Sequence, residues 1–223
     1  MNTSATELAS LLCSRLCHDM LSPVGALSNG LELLADETDP AMRKQCMELL
    51  EQSARISRDK LKFFRLAFGA AGGFGDAVPV EESKAVIEAL AVDGKKIELN
   101  WAIEGPSLPK PAVKVMLNFA HIALDALIRG GSLDIGAEMR EGAAEIVVRA
   151  SGPRIAFDDT IGKVIEGNMA PGELSSRTAA AHMIALLAEE TGGCVSDSLE
   201  MARFDVKVSV IEPGNYKSNI GQT

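Results

Sequence analysis

The 223-residue sequence has no excess of basic residues: 22 Lys and Arg stand against 31 Asp and Glu, a net charge of −9. That argues against direct nucleic-acid binding, because a phosphate backbone is held by clustered cations. No apolar run comes near the roughly 20 residues that span a bilayer, so no membrane association is expected. The first residues lack a basic stretch followed by an apolar one, so a signal peptide is not expected and a cytoplasmic location is. The four cysteines, Cys13, Cys17, Cys46 and Cys194, form no C-x-x-C pair. Structural zinc asks for four ligands at paired short spacings, so these thiols are expected to be reduced and packed, with no metal bound.

What is present is the balance of a globular protein, with 47% hydrophobic and 24% charged residues. Leu8, Leu12 and Leu16 recur every four residues, and Met20, Leu27, Leu31 and Leu34 extend that side, which predicts a helix over 6–35. Asp39 and Pro40 suit the cap and first position of a second helix over 40–68. In it Met42, Cys46, Leu49, Ser53, Ile56, Lys60 and Phe63 follow each other in steps of four and three, a coiled-coil-like seam that Lys60 interrupts. Two long helices joined by a short turn make an antiparallel hairpin. One hairpin leaves much apolar surface uncovered, so a homodimer with a four-helix bundle is expected.

The glycine-rich stretch 69–75 marks a break. Beyond it, alternation predicts strands over 97–103, 132–135, 144–148 and 204–211, with helical patterns over 80–92, 110–129 and 175–190. The fold class is therefore α+β: a hairpin domain over 1–70, an α/β sandwich over 76–212, and a poorly ordered tail over 213–223.

The segment with chemistry in it is Arg15-Leu16-Cys17-His18-Asp19-Met20-Leu21-Ser22-Pro23. At about 100° per residue His18 points away from Leu16, towards solvent, with Arg15, Leu21, Ser22, Gly25 and Asn29 on its face. Pro23 has no amide proton, so the carbonyl of Asp19 loses its helical partner and a bend is expected there. Gly25 and Ala26 leave the surface beside His18 open to another helix. Neutral imidazole is a nucleophile near pH 7, which suits reversible phosphate carriage. Asp19 can orient the ring or act as an acid or base, and Arg15 and Ser22 are placed to contact phosphate. On spacing alone, a surface histidine beside an aspartate reads equally well.

His18-Asp19-x-x-Ser22-Pro23 resembles the H-[ED]-x-x-[ST]-P phosphoacceptor box of dimerising histidine-kinase domains. Together with Phe64-Arg65-Leu66-Ala67-Phe68-Gly69 and the chain length, the string Arg15 to Asp19 resembles the ChpT-type histidine phosphotransferases of α-proteobacteria. The resemblance implies a dimerising hairpin followed by a degenerate ATPase-like domain of the GHKL type. It implies a relay in which His18 accepts phosphate from the phospho-Asp receiver domain of a hybrid histidine kinase. Response regulators that control the cell cycle would then receive it. It also implies that the second domain forms part of the surface on which a receiver docks. Mg²⁺ would come with the receiver, leaving no cofactor on this chain.

Three nucleotide boxes of active kinases depart from pattern. Asp125 stands where a helix carries a magnesium-holding asparagine. Ala150-Ser151-Gly152-Pro153-Arg154 replaces a D-x-G-x-G loop, with an arginine where the backbone must come close. The helix ending Thr191-Gly192-Gly193 starts at Ser176-Arg177-Thr178-Ala179-Ala180, without the glycines that cradle phosphate. An ATP-dependent histidine kinase and a non-catalytic receiver-binding adaptor are the competing readings. His121 and His182, in apolar helices, and Trp101, in a strand-like run, read as packed residues. Arg55, Arg58, Lys60, Lys62 and Arg65 read as a solvated helix face.

Overall fold

The computed structural model describes residues 4–69, 75–92, 96–140, 142–165, 167, 174–190, 194–200 and 203–211. The glycine-rich positions 70–74, the Thr191-Gly192-Gly193 string, the side chain of Cys194 and the tail from Pro213 lie outside the described residues.

Helix α1 spans Ala5–Asp36 and α2 Pro40–Ala67. Each starts on a side-chain cap that satisfies an orphan amide: Ser4 Oγ accepts from Glu7 N at 3.1 Å, and Asp39 Oδ2 from Met42 N at 3.2 Å. The turn between them is tied by Arg43, whose guanidinium donates to the carbonyls of Leu34 and Glu37 at 3.1 and 2.8 Å. The helices approach closely at Gly30, where a Cβ would stand 2.9 Å from Leu50 Cδ2. The predicted seam of α2 divides. Cys46, Ser53 and Phe63 are buried and Lys60 half-buried, while Met42 and Leu49 are exposed on the single chain. Pro23 lies within α1, which runs on past it.

The remainder is a mixed sheet with helices on one face. Its elements are β1 (Ala77–Pro79), α3 (Val80–Ala91), β2 (Ile97–Ile103), β3 (Ser107–Pro109), α4 (Lys110–Ala126), β4 (Gly131–Arg140) and β5 (Ala143–Ser151). After them come α5 (Asp159–Ile165), α6 (Ala179–Glu190), β6 (Cys194–Glu200) and β7 (Arg203–Ile211). The five-stranded sheet has the order β2-β4-β5-β7-β6, parallel only between β2 and β4, and β1 pairs with β3 separately. In β4 and β5 the alternation is clean. Leu133, Ile135 and Ala137 register with Ala150, Val148 and Ile146, all buried, while the intervening residues stay partly exposed. The strands predicted over 132–135 and 144–148 are the centres of longer ones.

Helix α4 is the hub, with Val113, Met116, Leu117, Phe119, Ala120 and Ala123 buried. One cluster of buried residues joins it to α3, the sheet, and the last turns of α2 through Phe63, Phe64, Leu66 and Ala67. Asn118 fastens that joint by donating to the carbonyls of Ala67 and Lys114. Buried apolar area drives this packing at about 25 cal/mol per Å². It presses the end of the hairpin away from its turn against α4, and the site lies at that meeting.

Candidate functional site

Three helices meet around Asp19. From α1 come Arg15, His18 and Asp19, one turn apart; from α4 come His121 and Asp125, also one turn apart; from α2 come Lys60 and Phe63. The side chain of His18 is 82% exposed, as its place opposite Leu16 predicts. Its Nδ1 lies 3.2 Å from Asp19 Oδ1, and its Nε2 has no partner among the described residues. A proton on Nδ1 shared with that carboxylate leaves the Nε2 lone pair facing outward.

Asp19 is only 14% exposed. Its Oδ2 accepts from Arg15 Nε at 2.7 Å, a charge-assisted bond. Burial pushes the Asp19 carboxyl up, but the bond and charge of Arg15 outweigh it and hold the group below the ordinary carboxylate range. The same guanidinium reaches from α1 to α4, where its second nitrogen lies 3.1 Å from Asp125 Oδ2. Burial acts to lower the Arg15 pKa, and the pairs with Asp19 and Asp125 raise it overall. A chain of contacts therefore runs from His18 through Asp19 and Arg15 to Asp125.

His121 closes the far side. It stacks on Phe63 with ring centroids 4.7 Å apart, and its Nδ1 is 4.0 Å from Asp125 Oδ2. Burial pushes its pKa down against the pull of Asp125, so the ring is neutral at neutral pH. A cleft of about 490 Å³ opens beside the cluster, lined by Arg15, His18, Asp19, Phe157, Asp158 and Arg177 among others. In its outer wall Asp158 accepts from Thr160 and pairs with Arg177 at 3.7 Å.

The other predicted positions lie along α1 beyond His18. Leu21, Ser22, Ala26 and Asn29 are exposed, and nothing stands within 4 Å of a Cβ built at Gly25. Helix α1 at that level is open, while its close approach to α2 comes further on, at Gly30. Arg15, placed by the sequence to contact phosphate, is paired with two carboxylates on the chain by itself. Two residues at the centre carried no role in the sequence reading. Asp125 showed itself only as a departure from the asparagine of active kinases, and Lys60 as a charge within an apolar seam and one of the cations of a solvated helix face, whereas it is half-buried and bonded to the Asp19 carbonyl. His182 is half-buried in α6, and Trp101 packs against the core with Lys84 5.9 Å above its ring. Among the described residues no three His, Cys, Asp or Glu side chains are grouped to hold a metal, and no helix is long and apolar enough to cross a membrane.

Residues 80–202 match the family model of the histidine phosphotransferase C-terminal domain. The protein phosphotransferase ChpT of Brucella abortus (strain 2308) is 34% identical over 193 residues, which is 86% of this chain and 90% of that protein. A solved bacterial phosphotransferase is 31% identical with a TM-score of 0.81, covering 93% of this chain and 98% of its own.

Proposed function

Because the chain belongs to the histidine phosphotransferase family and so works in phosphorelay, we propose that His18 is the residue that carries the phosphoryl group. The donor is the phospho-Asp receiver domain of a hybrid histidine kinase, and the acceptors are response regulators of the cell cycle. What supports this above all is the disposition of His18: Nδ1 rests on a half-buried, ionised carboxylate while Nε2 stands free on an exposed helix face.

The chemistry follows from that disposition. Nε2 attacks phosphorus, a P–N bond forms, and the P–O bond to the receiver's aspartate breaks, returning a carboxylate to the receiver and its Mg²⁺. The ring keeps its Nδ1 proton and gains positive charge, which the Asp19 carboxylate stabilises at 3.2 Å. Acyl phosphate and phosphoramidate are both high in energy, so the same path runs in reverse onto a second aspartate. No ATP enters this scheme, a reading supported by the three departed boxes: Asp125 in place of the magnesium-holding asparagine, Ala150 to Arg154 in place of the D-x-G-x-G loop, and Ser176 to Ala180 without the phosphate-cradling glycines. The wall of the second domain beside His18, which includes Phe157 and Arg177, forms part of the receiver's seat.

The test is transfer. Receiver domains of the source organism are charged with radiolabelled acetyl phosphate, purified and mixed with this chain in the absence of ATP. Label that appears on this chain, is lost in acid and survives alkali marks phosphohistidine. Retention of all label on every receiver sinks the reading.

In this scheme the active form is a cytoplasmic homodimer whose two hairpins build a four-helix bundle. Leu31, Met42 and Leu49 are exposed on the single chain, and Met42 and Leu49 lie two turns apart on α2. A Leu49→Glu chain is therefore expected to sediment as a monomer under conditions where the wild type sediments as a dimer. If wild type and variant share a single-chain mass, the dimer is wrong.

A further inference from the structure

Resting on the reading of His18 as phosphoacceptor, we propose that Lys60 is a positioning residue for phosphoryl transfer: it supplies the hydrogen bond that Pro23 denies to the main-chain carbonyl of Asp19.

The sequence itself creates a vacancy in α1. In an α-helix the carbonyl of residue i accepts from the amide of i+4. For Asp19 that amide belongs to Pro23, which has none. The missing bond lies on the residue whose side chain holds the ring of His18. Asp19 is half-buried and Pro23 is buried, so water reaches this carbonyl less freely than on an open helix face, and a shielded carbonyl without a donor is costly.

The structure fills the vacancy from the other helix. Lys60 Nζ donates to the Asp19 carbonyl at 3.1 Å, across 41 residues of sequence. This explains why a lysine sits where the seam of α2, between Ile56 and Phe63, calls for an apolar side chain. Its stem lies half-buried against the hairpin while its ammonium reaches the one main-chain oxygen left open. An apolar residue there would pack and leave the oxygen orphaned.

Asp19 is then fixed at both ends, its carboxylate by Arg15 and its carbonyl by Lys60. Since His18 is the preceding residue and leans on that carboxylate, the pair of bonds sets where Nε2 stands. Transfer to a receiver's phosphorus depends on that placement, because reacting atoms must meet within about 3–3.5 Å and in line. Lys60 touches neither phosphorus nor the imidazole; it acts through the backbone of Asp19.

The test exploits the fact that the vacancy can be removed. Four full-length chains are compared for initial transfer rate from a labelled, acetyl-phosphate-charged receiver, well below their thermal midpoints: wild type, Lys60→Met, Pro23→Ala, and the double variant. Lys60→Met keeps length and loses the donor, and is expected to slow transfer on the order of tenfold, short of the roughly hundredfold that a 1 Å misplacement brings. A fifth chain, Lys60→Arg, which retains a donor, is expected to keep most of the wild-type rate. Pro23→Ala returns an amide to the helix, so the double variant is expected to transfer as fast as Pro23→Ala alone. That recovery is what a general loss of packing at position 60 would not produce. An unchanged rate in Lys60→Met overturns the proposal. So does an equal slowing by Lys60→Met with proline or alanine at position 23. A wild-type chain that takes no label from any receiver overturns the reading of His18 and the positioning role with it. The 23–60 coupling would then still be read separately, by thermal unfolding of the same four chains.

Discussion

A His18→Ala chain is expected to take no phosphate above background from a charged receiver, a loss of about a thousandfold or more, while remaining folded and dimeric. Removing the nucleophile removes the bond that forms in the step, and no neighbour replaces it. Among the described residues His121 is the other imidazole at the cleft, but it is half-buried, stacked on Phe63 and set behind Asp125. The fold should not notice. The His18 side chain is 82% exposed, its one side-chain partner is the neighbouring Asp19, and alanine is the better helix former. Unfolding free energy is expected to move by no more than about 0.5 kcal/mol. The measurement pairs acid-labile labelling with urea unfolding of the same preparation. Label that persists on the variant would mean that another residue carries the phosphate. A variant that loses both label and fold would be uninformative, so Asp19→Glu, which keeps a carboxylate beside an intact His18, is labelled in parallel and should retain transfer.

How far this could be read beforehand depends on whether each feature is local in sequence. The two long helices could be, because some thirty residues of apolar periodicity, the Asp39-Pro40 start and a short polar turn all agree. Leu99, Trp101 and Ile103 alternate with polar residues and announce β2. The full lengths of β4 and β5 do not, since Gly136 and Glu138 are held in a strand by their partners Val147 and Glu145 across the ladder. The strands β1 and β3 are three residues each, too short to show a period. The site divides the same way. His18 and Asp19 are neighbours, and their motif names them. The bond from Arg15 to Asp125 joins residues 110 apart and arises only when α4 docks on the hairpin. Lys60 was visible as an anomaly in a seam, and the vacant carbonyl of Asp19 was visible as a consequence of Pro23. That one answers the other follows only from the packing of α2 on α1, which brings together residues 41 apart.

The other large effect is expected at Asp19. An Asp19→Asn chain should transfer phosphate about a hundredfold more slowly, at the lower end of the 10²–10⁴ range for a lost acid–base or orienting group. The amide keeps the size of the carboxylate but cannot balance the charge that the ring gains on phosphorylation, and it can present an N–H to Nδ1 and so favour the unproductive tautomer. The substitution also leaves Arg15 with only Asp125, which is 61% exposed, so a loss of about 1 kcal/mol in stability is expected, near the upper end for exposed pairs. The pH dependence separates this cost from the chemical one. In the wild type the folded-state pKa of Asp19 lies below its unfolded value. The stability that Asp19 contributes is therefore complete above the ordinary carboxylate range, near 3.9, and is lost as pH falls through the lower folded value. Between pH 5 and 8 the stability gap between wild type and Asp19→Asn should hence stay flat, and it should close only under stronger acid. A gap that shrinks already between pH 7 and 5 would mean that Arg15 does not hold Asp19 ionised. A hundredfold slower transfer across that flat range would place the defect in the orientation and charge of the His18 ring rather than in the fold.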